Sequence, residues 1–263
     1  MDCFSAAATR ISISGVLHGV PRIVHGLNLA YDPAESPLYK VVCVRGSEFA
    51  RELCQIEIYS SVSGAWRVSG EPFTATADFN HGVYWNGSIH WISYKTKEIL
   101  YFDVEKEKFG KVGLPASATL GDDVRYRQHR EGRYISYFGE SCGHLHIIGN
   151  HQSYAAFDVY EMKVDYSGWF VVYHADLTAV AAAFADMSYL VPLSNRIHYS
   201  FTVLSLVRND DKGSFLILRV PCTTVRFNLD CNTYEEICDV GGVATVNHRI
   251  PLAFDHIESL ACV

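Results

Sequence analysis

The chain has 263 residues, 49% of them hydrophobic and 13% aromatic, which is enough to bury a substantial core and long for one domain unless that domain is a barrel, sandwich or propeller. A formal charge of −7 argues against a domain built to hold a phosphate backbone, which carries a basic stripe, so no nucleic-acid partner is expected. The eight cysteines are scattered with no Cys-x-x-Cys pair, the N-terminus has no long apolar signal core, and no apolar run approaches the roughly 18 residues of a membrane span; we read reduced thiols, an intracellular chain in cytoplasm or nucleus, and no membrane contact.

Residues 1–26 read as an N-terminal segment, partly disordered or holding a first strand, and 27–263 as one domain. LNLAYDPAESPLYKVVCV (Leu27–Val44) is a strand, a proline-bounded loop and a strand. IEIYSSVSGAWRV (Ile56–Val68) alternates apolar and polar residues into a Ser/Gly turn and returns through Trp66. GVYWNGSIHWIS (Gly82–Ser93) turns at Asn86-Gly87, a pair that accepts the positive φ a two-residue hairpin turn requires. ILYFDVEKEKFGKVGLP (Ile99–Pro115) and RYISYFGESCGHLHIIG (Arg133–Gly149) are again strand pairs, as is VYEMKVDYSGWFVVY (Val159–Tyr173). ADLTAVAAAFADM (Ala175–Met187) is alanine-rich and reads as a helix N-capped by Asp176, or as a loop between units. IHYSFTVLSLVRNDDKGSFLIL (Ile197–Leu218) reads as two strands around one turn, VRFNLDCNTYEEICDV (Val225–Val240) as another pair, and DHIESLAC (Asp255–Cys262) as a single helical turn.

Four of these hairpins share one design. An alternating strand enters a polar turn, and an aromatic opens the returning strand: Trp66, Phe109, Trp169 and Tyr234. These markers recur at roughly 45 to 65 residues, the period of a four-stranded propeller blade with loop insertions. The fold class is therefore all-β, a β-propeller of four-stranded antiparallel blades, about five or six of them in a ring that need not be complete, with a β-sandwich as the alternative. Each marker aromatic is expected to pack between neighbouring blades.

The residues that carry chemistry are weighed against this frame. Asp103, Glu105 and Glu107 alternate with Lys106 and Lys108 at a hairpin tip and read as charges facing water, because glycosidase carboxylates converge from different blades. His144 and His146 point to one side of a strand but lack a third ligand at a recognised spacing. Cys231 and Cys238 flank a turn and read as half-buried small hydrophobes. No nucleophile elbow, phosphate loop or dinucleotide fingerprint occurs, and no catalytic residue, metal or cofactor is expected. For binding, the irregular connections Glu71–Asn80, Ala116–Arg133, Ala175–Arg196 and Asn209–Gly213 stand out. The second gathers Arg125, Tyr126, Arg127, His129, Arg130 and Arg133, the residue types enriched at interface hot spots, and is the expected partner-binding segment.

LAYDPAESPLYKVV, IEIYSSVSGAW, GVYWNGSIHWI, ILYFDVEKEKFGKVGLP and the ending HIESLACV, in this order, resemble the F-box-associated domain of plant F-box proteins, from about Leu27 to Val263. The resemblance implies a kelch-like propeller that recruits a protein substrate to a cullin-type ubiquitin ligase, with no chemistry of its own. No leucine- and proline-rich helical segment precedes Leu27, so the Skp adaptor is not an expected partner of this chain alone. The alternatives are a propeller enzyme such as a glycoside hydrolase and a truncated, non-functional remnant.

Overall fold

Alternating side chains and left-handed turn residues produce eighteen strands among the described residues, all antiparallel. The computed structural model describes residues 23–47, 50, 52–116, 133–151, 154–191, 196–209, 213–221 and 223–239. Sheet 1 holds β1 (Val24–Ala30), β2 (Lys40–Gly46), β3 (Cys54–Ser60) and β4 (Ala65–Phe73); sheet 2 holds β5 (Val83–Trp85), β6 (Ser88–Ser93), β7 (Glu98–Asp103) and β8 (Lys108–Gly113). Sheet 3 holds β9 (Arg133–Ser141), β10 (His144–His151), β11 (Ala156–Met162) and β12 (Trp169–Asp176). A short helix, α1 (Thr178–Ala183), and the two-stranded pair β13 (Ser188–Val191) and β14 (Arg196–Tyr199) lead to sheet 4, made of β15 (Thr202–Val207), β16 (Phe215–Val220), β17 (Thr223–Asn228) and β18 (Thr233–Asp239). Each four-stranded sheet is a simple meander, and the first strands of successive sheets touch: β1 with β5, β5 with β9, and β9 with β15. Sheets in series around their first strands make a propeller, whereas a sandwich would pair two layers.

Turn chemistry fixes the hairpins. Asn86 and Gly87 take φ of 48° and 70°, and Cys142 and Gly143 repeat the device at 54° and 78°. At the outer hairpins a side chain at the end of the third strand caps the turn: Asp103 Oδ1 accepts the Glu105 and Lys106 N–H groups, and Asn228 Oδ1 accepts those of Asp230 and Cys231. Beside these turns the registers are regular, Phe102 opposite Phe109 and Phe227 opposite Tyr234, and the β17–β18 ladder shifts only further on, between Thr224 and Val225.

The core lies in the seams between sheets. Ile56 and Ile58 of β3 meet Ile89, Trp91 and Phe102 of sheet 2; Ile92 and Ile99 meet Ile147 and Tyr160; Phe157 and Val159 meet Leu216, Leu218 and Phe227 with Val180 of α1. β6 is buried at every residue because both its faces are covered, as an inner strand of a middle blade should be. Polar stitches cross the same seams: Asn28 of β1 donates to the Phe79 carbonyl at 3.1 Å and accepts the Gly82 N–H at 3.0 Å. Gly26 is needed beside them, since a Cβ there would stand 1.8 Å from the Phe79 oxygen.

Three of the four marker aromatics join neighbouring parts of the chain as expected. Phe109 packs on Phe73 of sheet 1 at 4.5 Å, the Trp169 indole donates to the Gly113 carbonyl of sheet 2 at 2.9 Å, and Tyr234 meets Phe184 beyond α1 at 5.9 Å. Trp66 meets Tyr59 of its own sheet at 5.5 Å. Two further expectations are corrected. Ile197–Leu218 is three strands, not two: β14 pairs with β13, and the chain leaves for sheet 4 at Ser200, whose N–H is held by the Met187 carbonyl. The helix begins later than expected, with Leu177 at its N-cap; Asp176 instead ends β12 and accepts the Thr178 N–H from outside the helix. Asp255–Cys262 lies outside the described residues, as does residue 240 at the end of the last hairpin.

Candidate partner-binding face

In an up-and-down meander, the loops after the first and third strands of each sheet share one end of the propeller. That end carries 31–39, 61–64, 86–87, 104–107, 142–143, 163–168, 208–209, 213–214 and 229–232, and its features cluster at the three seams.

At the seam of sheets 1 and 2 lies a hollow of about 390 Å³, walled by Tyr31, Leu38, Tyr39 and Tyr84, with Asp32, Glu35 and Glu105 as its carboxylates. The β1–β2 loop that forms one wall is braced internally. Asp32 Oδ1 accepts the Ala34 N–H at 2.8 Å, Asp32 O accepts that of Ser36 at 3.0 Å, and the Tyr39 and Ser61 strand ends exchange bonds of 2.8 and 3.0 Å. Burial and then the charges of Glu35, Asp32, Glu105 and Asp103 raise the Tyr84 phenol above its usual range, which marks the hollow as electronegative.

The acidic tip of β7–β8 is part of this seam: Glu105 and Lys106 face water as expected, their side chains 79% and 75% exposed, whereas Asp103 and Glu107 are turned inward. Lys40 of β2 reaches Glu105 at 2.5 Å, the Arg67 guanidinium clamps both oxygens of Glu107, and Ser69 donates to the same carboxylate at 2.5 Å. The hydrogen bonds from Arg67 and then Ser69 pull the Glu107 carboxyl down from 4.5 to about 2. A depressed folded value contributes stability that is complete above pH 4.5 and is lost as pH falls through about 2. Arg67 is half exposed, so the contribution is about 1 kcal/mol at most. Glu107→Gln is expected to unfold at lower urea than the unaltered chain at pH 7, with the gap closing between pH 4.5 and 2; a pH-independent gap would contradict the assignment.

The seam of sheets 2 and 3 is aromatic. Trp85 donates to the Gly143 carbonyl at 2.7 Å, Asn86 to that of Val164 at 3.1 Å, and Tyr101 stacks on Tyr166 at 4.6 Å. Burial pushes His90 down to about 4, so it is neutral at pH 7. The Val83 carbonyl, 3.2 Å from Nδ1, can only accept, which places the proton on Nδ1 and leaves Nε2 to accept the Tyr166 hydroxyl at 2.9 Å.

At the seam of sheets 3 and 4, the buried carboxylate of Glu161 pairs with two groups, His144 Nδ1 at 2.7 Å from one oxygen and the Arg208 guanidinium on the other. His146 Nε2 stands 3.4 Å from that second oxygen without a hydrogen bond to it. The Arg208 N–H also donates to Ser141 Oγ at 2.9 Å. Burial, then Arg208 and His144, push His146 down to about 4, so its imidazole is neutral at pH 7. Of the two aligned histidines, His144 thus serves a carboxylate between blades. Among the described residues no set of three His, Cys, Asp or Glu side chains is arranged to hold a metal ion.

The expected binding segments divide between the two ends. Of the segment 209–213, Asn209 and Gly213 belong to the end just described and the rest lies outside the described residues; Glu71–Asn80 and the described part of Ala175–Arg196, residues 175–191 and 196, follow the fourth strands of sheets 1 and 3. Arg125, Tyr126, Arg127, His129 and Arg130 lie outside the described residues, and Arg133 is described only as the backbone residue that opens β9 opposite His151. Cys231 is exposed at its turn rather than half-buried, with Sγ 2.9 Å from Thr233 Oγ1; the Cys238 side chain lies outside the described residues. Cys43, Cys54 and Cys142 are also free thiols, and burial holds Cys43 up to about 11. The opposite end has a larger hollow of about 540 Å³ between sheets 1 and 2, walled by Phe73, Ala75, Leu100 and Phe109, where Lys111 pairs with Glu98 at 3.5 Å. Beyond the Glu98–Lys111 pair it carries one further carboxylate, Glu52, against the two, Asp32 and Glu35, of the loop-end hollow.

Sequence reasoning missed Glu161 and Arg208, and it missed the acidic, tyrosine-walled hollow. The available signal for the latter was the proline-bracketed DPAESP loop, whose two carboxylates sit between Tyr31 and Tyr39.

Residues 21–142 match the F-box associated beta propeller domain family. The chain is 33% identical over 255 residues to the F-box protein At5g07610 of Arabidopsis thaliana, covering 90% of this chain and 59% of that protein; it thus spans less than two thirds of the curated relative it matches. Among solved structures it is similar to a protein from Lactobacillus plantarum, at 9% identity over 80% of this chain and 56% of that one with a TM-score of 0.38, and to an auxiliary nutrient binding protein from Bacteroides thetaiotaomicron, at 7% identity over 81% and 56% with a TM-score of 0.35. Likeness at that level carries no argument about function. No helix among the described residues is long and apolar enough to cross a membrane.

Proposed function

Because the chain carries an F-box associated β-propeller domain, we propose that it is a protein-binding module, the part of an F-box protein that holds the substrate of a cullin-type ubiquitin ligase, and that it performs no chemistry itself. The observation that carries the reading is the loop end of sheets 1 and 2: a braced loop and three tyrosines around an open hollow, the rigid aromatic surface on which interface hot spots are built. The reading places the chain inside the cell, where such a ligase works.

The test is affinity capture from plant extract with the full chain immobilised, followed by direct titration of each recovered protein. A partner that binds saturably at micromolar affinity or better is the expected result; recovery of nothing that binds directly would end the reading. The triple substitution Arg125→Ala, Arg127→Ala, Arg130→Ala enters the same capture, since the sequence marks that segment as a binding surface. An unchanged set of partners removes it from the interface.

A further inference from the structure

We propose that the hollow at the seam of sheets 1 and 2 is the anchor pocket for a lysine or arginine side chain of the bound protein. The inference rests on the protein-binding reading and names the chemistry of its partner.

Three observations converge. The walls of the hollow mix apolar and polar groups: Tyr31, Tyr39 and Tyr84 line it, aromatic surface of the kind that takes a cation, and Leu38 and Val62 line it too, apolar cover for a methylene stem. Its about 390 Å³ lies in the range of side-chain and small-ligand sites. Its charge is one-sided: Asp32, Glu35 and Glu105 face a single ammonium, Lys40, and that ammonium is already paired with Glu105. Asp32 and Glu35 therefore remain as the carboxylates that a cation from outside would meet. Asp32 is fixed in direction by the bond it accepts from Ala34, so the pocket is set before the partner arrives and loses little entropy in closing on it. An anionic or purely apolar partner would have to face uncompensated carboxylates here, which gives discrimination as well as attraction.

A random peptide library displayed on phage, panned on the full chain, tests this. Retained peptides should be enriched in lysine and arginine. A synthetic copy of one should bind more weakly as salt rises, about fivefold more weakly to Glu35→Gln, and more weakly still to Glu35→Lys. Glu35 is exposed on its loop, so both variants should melt with the unaltered chain, and Glu52→Gln, in the hollow at the opposite end, should bind as before. Retained peptides without an excess of cations, or undiminished binding to Glu35→Lys, would overturn the proposal and leave the protein-binding reading standing. A library that yields nothing, while proteins are still captured from extract, overturns it equally; failure of both experiments removes the two together.

Discussion

Glu161→Ala is expected to destabilise the chain by about 3 to 5 kcal/mol in urea unfolding, the range seen when one partner of a buried ion pair is removed. The carboxylate is 5% exposed and pairs with Arg208 and His144, so its loss removes the anion that faces a largely buried guanidinium at the seam of sheets 3 and 4. The penalty comes from weakening that charge pairing away from water more than from the bonds themselves. Arg208→Ala should accordingly cost a comparable amount, and the double variant much less than the sum, with a coupling of about 1 to 3 kcal/mol in the double-mutant cycle. Glu161→Gln, which keeps the shape and drops the charge, should fall between. A Glu161→Ala effect below about 1 kcal/mol, or strict additivity with Arg208→Ala, would show that water or another group takes over the carboxylate's role. The same seam holds Ser141 against the Arg208 backbone, so amides at the start of the β15–β16 loop should exchange faster in the variant.

What the chain disclosed before folding was local. The Asn86-Gly87 turn, the alternation in IEIYSS and VRFNLD, and the aromatic that opens each returning strand are set within a dozen residues, and the strands formed where those signals lie. The switch of sheets at Ser200 was hidden for the opposite reason. IHYSFTV alternates straight through Ser200, and no glycine or proline marks the point where β14 ends and β15 begins. Only the bond from Ser200 to Met187, made across the β13–β14 pair, separates the two.

The site was less legible than the fold because its contacts are long-range. Arg67 meets Glu107 across 40 positions, Glu161 meets Arg208 across 47, and Asn28 meets Gly82 across 54. A lysine-flanked acidic tip such as VEKEK has the pattern of a solvated turn, and only the neighbouring blade reveals that Glu105 and Glu107 are its bolts. The hollow is assembled from four chain segments, each unremarkable alone: the DPAESP loop, the β3–β4 turn, Tyr84, and Glu105. Composition reported the acidic excess, but it took the meander to bring Asp32, Glu35 and Glu105 to one mouth.

Trp91→Ala tests whether that mouth depends on the seam beneath it. Trp91 on β6 is fully buried and meets Phe79 edge-on at 5.4 Å, within the cluster that joins sheets 1 and 2. Truncation to alanine removes the largest side chain of the seam and should lower stability by about 3 to 5 kcal/mol, since β strands on both sides cannot collapse into the space. Trp91→Phe should lose much less. The indole Nε1 is buried without a hydrogen-bond partner, so phenylalanine removes an unsatisfied donor along with part of the ring, and the two changes offset. Urea unfolding of the three proteins, together with binding of a peptide retained by the loop-end hollow, separates packing from function. If the hollow is held by the seam, Trp91→Ala loses affinity at temperatures where it is still folded, and Trp91→Phe binds as the unaltered chain does. Equal affinity for all three would place the rigidity of the pocket in the β1–β2 loop alone, where Asp32, Ser36 and Ser61 already tie the backbone to itself.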